Sequence, residues 1–519
     1  MTTFQPMGPA PIIHGQIEKV TPDNEVSGAL HTVVAHPTNA NILYAGSVNG
    51  GVWKTTNAQA TSPHWVPLTD SLPSQSVTAM SMDPTNPNRL VVGMGNASSF
   101  GLGGALTGLI LTENGGATWK QIKDPLLVGK NISGLAINGD LIIASAGGGF
   151  FFSDQTPDGG LFRSTDGGDT WESIELVARD TNFPDEAIPF ATFDLVADPS
   201  DPLRYYAAVG GLGVFRTEDG GENWTNVTAG DAQIDAIFQF AVNNGLDQNN
   251  MEMAVASNGR VYLAVIVANQ PVYLGYSDDG AWTQTDLPMT VEATGIAGLS
   301  PRQKAGGQGF IHFSIAADPT DPYTFYVAGD RQDGDMSFDS GNSIGAHNFS
   351  ARIFRGNTRK AAVGNILNVN AATFVFNGYS PQWDHMTHSN QVPEMPNGGT
   401  RRGSAPHADS REMVFDAAGN LIEVDDGGIY KRTSPRTNQG DWYSINGDLQ
   451  VTEIHDIAYD TVSNVLVSGT QDNGSIQQLT AGSMVWEQIS TERQSISFIV
   501  TSRANGDGGD VAVDDSGDG

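Results

Sequence analysis

An acidic, glycine-rich segment in the middle of the chain carries oxygen ligands at a spacing that could bind a cation. Its candidate ligands are carboxylates that lie close together in sequence: Asp330, Asp333, Asp335 and Asp339. Calcium prefers several oxygen ligands, and the intervening glycines would let the chain wrap around the ion. The spacing differs from that of an EF-hand. The pattern therefore predicts either a calcium loop or a solvated acidic loop.

Histidines form a second set of candidate metal ligands. His385, His388, His407 and Asp409 have the ligand types of a zinc site. The sequence around them predicts no helix that would place His385 and His388 on one face. The alternative is that they are polar loop residues, with a structural hydrogen bond between His407 and Asp409.

Aromatic side chains in the loops could stack on sugar rings. They are Trp53, Phe151, Phe152, Tyr379 and Trp383. The alternative is that these rings pack in the core, as most aromatic residues do. Cleavage of a glycosidic bond would also require two carboxylates on either side of a cleft, about 5 to 9.5 Å apart.

The acidic turns of the chain recur, which indicates a structural role for their carboxylates. The motif Ser-Thr-Asp-Gly-Gly-Asp-Thr-Trp ends at Trp171, and similar motifs end at Trp119, Trp224 and Trp282. Paired glycines permit positive φ at a hairpin corner, and a short carboxylate or amide accepts hydrogen bonds from the amides of its own turn. The residues at this position are Asn114, Asp166, Asp219 and Asp279.

The tryptophans give the period of the repeat. Eight of the nine end a segment: Trp65, Trp119, Trp171, Trp224, Trp282, Trp383, Trp442 and Trp486. The first five are 54, 52, 53 and 58 positions apart. Asp-Pro turns recur in the same phase, at Asp83, Asp198 and Asp318. Short strands with this period predict an all-β chain, a β-propeller of about seven to eight four-stranded antiparallel blades, with room for the start of a further blade or a second propeller.

The bulk composition excludes some partners. The 519 residues include 58 acidic and 26 basic side chains, a formal net charge of -32, and no cysteine. Nucleic acid and anionic membrane surfaces both need a basic footprint, so neither is an expected partner. Without cysteine there are no disulfides and no thiolate metal sites. The first residues lack the basic region and apolar core of a signal peptide, and the longest apolar run, 261–268, is too short to cross a bilayer.

We predict three regions along the chain. Residues 1–25 are irregular and could supply a ring-closing strand, and 26–491 form the propeller. Residues 492–519 are a partial further blade or an acidic tail.

The repeated turns resemble the Asp-box (BNR) repeat of sialidases, of the two-propeller xyloglucanases of glycoside hydrolase family 74, and of the sortilin-type receptor propeller. Several further pieces resemble bacterial BNR-repeat or glycosyl-hydrolase-like proteins: 44–56, 407–409, 425–430 and 469–474. The resemblance implies the propeller fold. It also makes Asp409, Asp425 and Asp426 candidate binding residues, beside Trp53, Tyr379 and Trp383.

The resemblance to family 74 implies one catalytic residue. The segment Trp65–Asp70 is similar to the family segment that carries a catalytic aspartate, which places this role on Asp70. The loop Val48–Trp53 lacks the aspartate that the family usually has there, and no clear match is found for the partner carboxylate. The Arg-Ile-Pro motif of sialidases is missing, so a sialidase is not expected.

These observations predict an extracellular binding module for a glycan or protein ligand, secreted or at the cell surface, with calcium as the candidate cofactor. One alternative is a family 74-like glycoside hydrolase acting on β-glucan-type polysaccharide. The other is a structural scaffold module of a larger surface protein. No membrane insertion is expected, and the oligomeric state is left open.

Overall fold

The structure is a computed structural model, and it describes the residue ranges 5–98, 101–147, 159–176, 191–246, 248–292, 295–297, 299, 307–332, 342–346, 350–489 and 506–513. Antiparallel four-stranded sheets dominate these ranges. Strand β1 (Ile12–Ile13) precedes the first sheet. Blades 1 to 3 are β2–β5 (Leu30–Ala35, Leu43–Ser47, Val52–Thr55, Trp65–Pro67), β6–β9 (Val77–Met82, Leu90–Met94, Leu109–Thr112, Lys120–Ile122) and β10–β13 (Asn131–Asn138, Leu141–Gly147, Gly160–Ser164, Glu172–Ile174).

The remaining blades follow the same order. Blade 4 is β14–β17 (Thr192–Ala197, Tyr205–Val209, Gly213–Thr217, Thr225–Asn226), and blade 5 is β18–β21 (Gln248–Val255, Val261–Val267, Gln270–Ser277, Trp282–Gln284). Blade 6 combines β24 (Ser314–Ala317), β25 (Thr324–Arg331), β26 (Ala351–Asn357) and β29 (Trp383–His385). Blade 7 is β30–β33 (Glu412–Phe415, Leu421–Asp425, Gly428–Arg432, Trp442–Ser444).

An eighth sheet contains β34–β37 (Ile454–Asp460, Val465–Thr470, Asn473–Gln478, Trp486–Gln488), with β38 (Gly506–Asp507) parallel to β36. Two hairpins, β22–β23 (Thr290–Glu292, Gly295–Ala297) and β27–β28 (Leu367–Asn368, Thr373–Phe374), lie beside blade 6 in sequence. One helix, α1 (Ala232–Asn244), joins blades 4 and 5 and is capped by the Asp231 side chain.

Seven blades close into a ring. The inner strands β2, β6, β10, β14, β18, β24 and β30 contact one another in turn, and β30 contacts β2. The eighth sheet makes no comparable inner-strand contact among the described residues. The chain is therefore a seven-bladed propeller followed by one further blade, which confirms the predicted fold class.

Four of the tryptophans form hydrogen bonds across the seams between blades, as their spacing predicts: Trp65, Trp282, Trp383 and Trp442. The indole N–H of one blade donates to a carbonyl just beyond the outer strand of the preceding blade. Trp383 donates to Asp286 O at 2.7 Å, and Trp442 donates to Met386 O at 2.9 Å. Trp65 of blade 1 donates to Ile445 O of blade 7 at 3.0 Å. The same contact therefore closes the ring.

The N-terminal segment attaches to the eighth sheet, although the sequence suggested it as a ring-closing strand. Ile12 in β1 pairs in parallel with Trp486 in β37, and the Trp486 indole donates to Met7 O at 2.9 Å. Because β2 and β30 already meet, the ring has no vacancy for another strand.

The repeated acidic turns bind their own backbone. Asp166 Oδ1 accepts the N–H of Thr170 at 2.9 Å, and Asp219 Oδ1 accepts the N–H of Asn223 at 2.9 Å. Asn114 Oδ1 accepts Thr118 N–H at the same distance. In the shortened fourth turn, Ser277 Oγ accepts Gly280 N–H at 2.7 Å, while Asp279 is exposed. The side-chain oxygens of Asn114, Asp166 and Asp219 are therefore occupied by backbone hydrogen bonds that stabilise the turn before the outer strand, and their role is structural.

Candidate functional site

Five of the seven inner strands share an irregularity at one end of the ring. A β-bulge interrupts the pairing between Leu30 and Thr32 in β2, and equivalent bulges lie near the starts of β6, β10, β14 and β18. Bulges re-aim side chains and are enriched at barrel rims and active sites. We call this end, which also carries the turns between the second and third strands of each blade, the upper face.

Buried charged side chains meet on the upper face at blades 6 and 7. His312 precedes β24, while Asp409 and Arg411 precede β30, and Asp426 lies in the β31–β32 turn. His312 Nδ1 is 3.2 Å from Asp409 Oδ1, and His312 Nε2 is 3.4 Å from Asp426 Oδ2. Arg411 Nε donates to Asp426 Oδ1 at 2.5 Å. A positive charge thus lies on each side of Asp426.

Charged neighbours raise the pKa of His312 and lower the pKa of Asp426, and in both cases they outweigh the effect of burial. Burial disfavours charge on His312, but Asp409 and Asp426 outweigh it and raise its pKa to about 10. Burial also disfavours charge on Asp426, yet Arg411 and His312 hold its pKa below the usual range. Burial and the Asp409 carboxylate raise the pKa of Asp330 to about 7. Burial and the Arg411 charge lower the pKa of the nearby His31 to about 3, so this imidazole is neutral.

A small, largely enclosed pocket with a free volume of about 10 Å³ lies beside Asp426, between the ring and the eighth sheet. Its lining consists of Ala29, Val48, Ser98, Arg411, Asp426, Glu453, Gln471 and Asp472. Asp472 lies between β35 and β36, the position in the eighth sheet that corresponds to Asp426 in blade 7. Burial and the Asp426 and Asp409 carboxylates raise the pKa of Asp472 well above its ordinary value. The pocket therefore combines a carboxylate whose pKa is held low with a carboxyl group whose pKa is raised, and acid–base catalysis uses this kind of contrast.

Three more carboxyl groups line the centre of the ring. They are Asp194 in β14, Glu252 in β18 and Glu412 in β30, and each keeps a little accessible surface. Burial raises the pKa of Asp194 and of Glu412 to about 7, and burial with the Asp194 charge raises the pKa of Glu252 well above its ordinary value. Glu412 faces Asp194, Thr32 and the N–H of Val33, which donates to Glu412 Oε2 at 2.7 Å.

These ring-centre groups should make stability fall as the pH rises. Between pH 4.5 and about 7 the folded chain keeps the Glu412 proton that the unfolded chain has released. The contribution of Glu412 is therefore complete below pH 4.5 and lost by about pH 7. We expect Glu412→Gln to reduce the loss in unfolding free energy between pH 4.5 and 8 by about 2 kcal/mol. Urea unfolding at both pH values measures this loss. Glu394→Gln, at an exposed site, is the matched control, and an equal loss in both variants would contradict the prediction.

The structure brings some of the sequence-predicted residues together at this site. Asp409 and Asp426 belong to the buried cluster, and Asp330 adjoins Asp409. Asp425 is buried beneath the turn, where its Oδ1 accepts Gly427 N–H at 2.8 Å. Burial and the Glu423 charge raise the pKa of Asp425 well above its ordinary value.

The other predicted residues lie elsewhere. Asp70 is exposed beyond β5 and does not line the pocket. Trp53 and Trp383 are 7% and 2% exposed, which favours the packing alternative over sugar stacking. Tyr379 is partly buried against Phe376. Asp333, Asp335 and Asp339, with Phe151 and Phe152, lie outside the described residues.

The histidines of the predicted zinc site have separate partners. His385 Nε2 is 2.6 Å from Ser389 O, His388 Nε2 is 3.1 Å from Ser350 Oγ, and His407 Nε2 is 3.0 Å from Gln16 Nε2. A geometric cluster of metal-ligand type does form within the described ranges, but it consists of His312, Asp330 and Asp409.

Sequence analysis missed four polar residues of this region: His312, Arg411, Glu453 and Asp472. A signal for Asp472 existed, since 469–474 repeats the turn that contains Asp425 and Asp426. His312 and Arg411 lie in no motif, and the packing of blade 6 against blade 7 brings them to either side of Asp426.

Comparison with known proteins shows that this β-propeller is similar to those of glycoside hydrolase family 74. The chain is 27% identical over 339 residues to a probable oligoxyloglucan-reducing end-specific xyloglucanase of Neosartorya fischeri, covering 60% of this chain and 38% of that protein. It is 26% identical over 325 residues to the oligoxyloglucan-reducing end-specific xyloglucanase of Emericella nidulans, covering 56% and 38%. The matches thus span well under half of either relative. No protein-family model matches the chain.

Solved structures agree on the fold. The chain is similar to an ancestral GH74 enzyme, with a TM-score of 0.57 and 17% identity, over 95% of this chain and 56% of that one. It is also similar to the GH74 xyloglucanase of Xanthomonas campestris, with a TM-score of 0.52 and 16% identity, over 93% and 70%. If the chain is an enzyme, these relatives support a glycoside hydrolase. Within the described ranges, α1 is too short and polar to span a membrane and no other helix would do so.

Proposed function

We propose that the chain is a glycoside hydrolase acting on a polysaccharide, with its reaction in the pocket between blade 7 and the eighth sheet. The observation that carries the proposal is that Asp426 and Asp472, from two different sheets, line the same pocket. Glycosidases need such a pair of carboxyl groups on opposite sides of the scissile bond.

Each carboxyl group has a role that suits its surroundings. Asp472 holds a proton because it is buried near other carboxylates, so it would protonate the leaving oxygen as general acid. Asp426 receives a charge-assisted hydrogen bond from Arg411, which makes it a weak nucleophile. A carboxylate with a lowered pKa is also a weak base, so it would instead orient a water molecule and stabilise the positive charge of the oxocarbenium-like transition state.

Xyloglucan is the first substrate to test, because the relatives are named as xyloglucanases. A polymeric polysaccharide does not cross a cell membrane unaided, so we propose that the protein acts outside the cell. The eighth sheet contributes Asp472, Glu453 and Gln471 to the pocket, and the proposal therefore assigns this sheet a part in the active site.

The release of reducing sugar from xyloglucan and a β-glucan panel tests the proposal. We expect Asp472→Asn to lower kcat by at least about 100-fold, because the general acid is lost. Glu394→Gln, on the exposed surface, should match the unmodified protein. Asp70→Asn tests the residue that the family resemblance implies. Loss of activity in Asp70→Asn with full activity in Asp472→Asn would move the reaction away from this pocket.

A second candidate function is sugar binding without cleavage. The observation that favours it is the apolar side chain of Val48 in the pocket. Val48 lines the pocket within the loop where the family usually has an aspartate. In this case, xyloglucan oligosaccharide would bind the unmodified protein with no reducing sugar released. Val48→Asp would then raise hydrolysis from the background, whereas in an active enzyme the added charge would leave activity equal or lower.

A further inference from the structure

Three side chains of metal-ligand type face one another on neighbouring blades, beneath the pocket. They are His312 before β24, Asp330 near the end of β25 and Asp409 before β30. One nitrogen or oxygen atom from each lies within 4.8 Å of the other two. His312 and Asp330 are each about 1% exposed, whereas 14% of the Asp409 side chain remains exposed. The proposed hydrolysis uses none of these three groups.

The cluster contains buried acceptor atoms without a donor. Asp330 Oδ1 accepts no hydrogen bond from the residues that the structure describes, and Asp409 Oδ1 faces only the His312 Nδ1 atom, at 3.2 Å and outside good hydrogen-bond geometry. A buried carboxylate oxygen without a partner is costly, and two carboxylates that face each other also repel. The other oxygen of Asp330 accepts Gln308 N–H at 3.1 Å, which fixes the direction of the free one. A cation between the two carboxylates would remove both costs.

The backbone holds the three residues in place. Asp409 N–H donates to Asp330 O at 2.9 Å, which ties blade 7 to blade 6 at this point. His312 N–H donates to Gln308 O at 2.8 Å. Asp409 has φ +72, a conformation that non-glycine residues adopt mainly at functional or tightly constrained sites. The ligand positions are therefore set by main-chain contacts.

The imidazole of His312 is oriented as in metal-binding histidines. Its Nδ1 faces Asp409, and its Nε2 faces Asp426, which Arg411 holds in place. Metal-ligating histidines usually donate their second ring N–H to a carboxylate, which fixes the tautomer. The competing occupant of Nδ1 is a proton, which would make His312 an imidazolium between Asp409 and Asp426.

We propose that His312, Asp330 and Asp409 bind one divalent transition-metal ion of the zinc or manganese type, which joins blades 6 and 7 below the pocket. One imidazole nitrogen with two carboxylate oxygens suits these ions, whereas calcium prefers oxygen ligands alone. The site differs from the predicted calcium loop, with which it shares only Asp330.

Metal content and thermal melting of the chelator-treated protein test this proposal. After incubation with Zn²⁺ or Mn²⁺ and desalting, elemental analysis should find about one ion per chain, and the Tm should rise in the presence of the ion. Calcium should give a smaller rise. Asp330→Asn should weaken metal binding by at least about 100-fold. Asp426→Asn, which removes the carboxylate behind His312, should weaken it by about 10- to 100-fold.

The melting temperature of Asp330→Asn also shows whether reduced metal binding comes from the lost ligand or from unfolding of the variant. In the metal-free protein this variant removes one of two facing carboxylates, so its Tm should equal or exceed that of the unmodified chain. The exposed Asp279→Asn is the matched control and should bind metal normally. Substoichiometric uptake by the unmodified protein would overturn the proposal in favour of a protonated His312. Equal uptake by Asp330→Asn would overturn it as well.

Discussion

Replacement of Trp65 by Ala is expected to lower the free energy of unfolding by about 3 to 5 kcal/mol, because it empties a buried site at the seam that closes the ring. Trp65 is 2% exposed, and its indole donates to Ile445 O across the contact between blades 1 and 7. Urea unfolding measures the change. Trp65→Phe keeps most of the apolar volume and should cost about 1 kcal/mol for the lost hydrogen bond, beyond the small change in size.

Trp119→Ala is the matched control for the ring closure. Trp119 occupies the same position in blade 2 but is only partly buried. Its loss should therefore cost clearly less than the loss of Trp65. Equal costs would mean that the seam between blades 1 and 7 is no more important than any other packing site.

Replacement of Arg411 by Met is expected to destabilise the fold by a similar amount, about 3 to 5 kcal/mol, because it leaves a buried charge without its partner. The Arg411 side chain is 1% exposed, its Nε donates to Asp426, and its Nη1 donates to Ala97 O at 2.8 Å. His312 remains beside Asp426 and limits the loss.

A double-mutant cycle identifies the cause. If the unpaired Asp426 charge is responsible, Arg411→Met with Asp426→Asn should be more stable than Arg411→Met alone. Additive losses would attribute the effect to packing and to the Ala97 hydrogen bond. Thermal melting at neutral pH gives both comparisons.

The propeller architecture could be predicted from the sequence because the patterns that indicate it are local. The turn around Asp166 and the indole of Trp171 lie within one hairpin, and their repetition gives the blades directly. Ring closure is different, because β2 and β30 are far apart in sequence and no local pattern marks their contact. The attachment of β1 to β37 likewise depends on two distant segments.

The candidate site was only partly predictable for the same reason. Asp426 and Asp409 were reached through resemblance to known repeats, and Asp330 through its acidic loop. Their partners His312 and Arg411 carry no motif, since what gives them a role is burial beside carboxylates that the fold brings close to them. Trp53 and Trp383 look like sugar-stacking residues in sequence, whereas in the fold each packs in a cluster of buried apolar side chains.

The most direct test of the proposed active site is a crystal structure of Asp472→Asn in complex with a xyloglucan oligosaccharide. We expect a sugar in the pocket between the β31–β32 turn and the eighth sheet. A glycosidic oxygen should lie within about 3.5 Å of the substituted side chain, and Asp426 should lie on the opposite side of the bond. An oligosaccharide bound beside Asp70, or at any position away from Asp426, would contradict it.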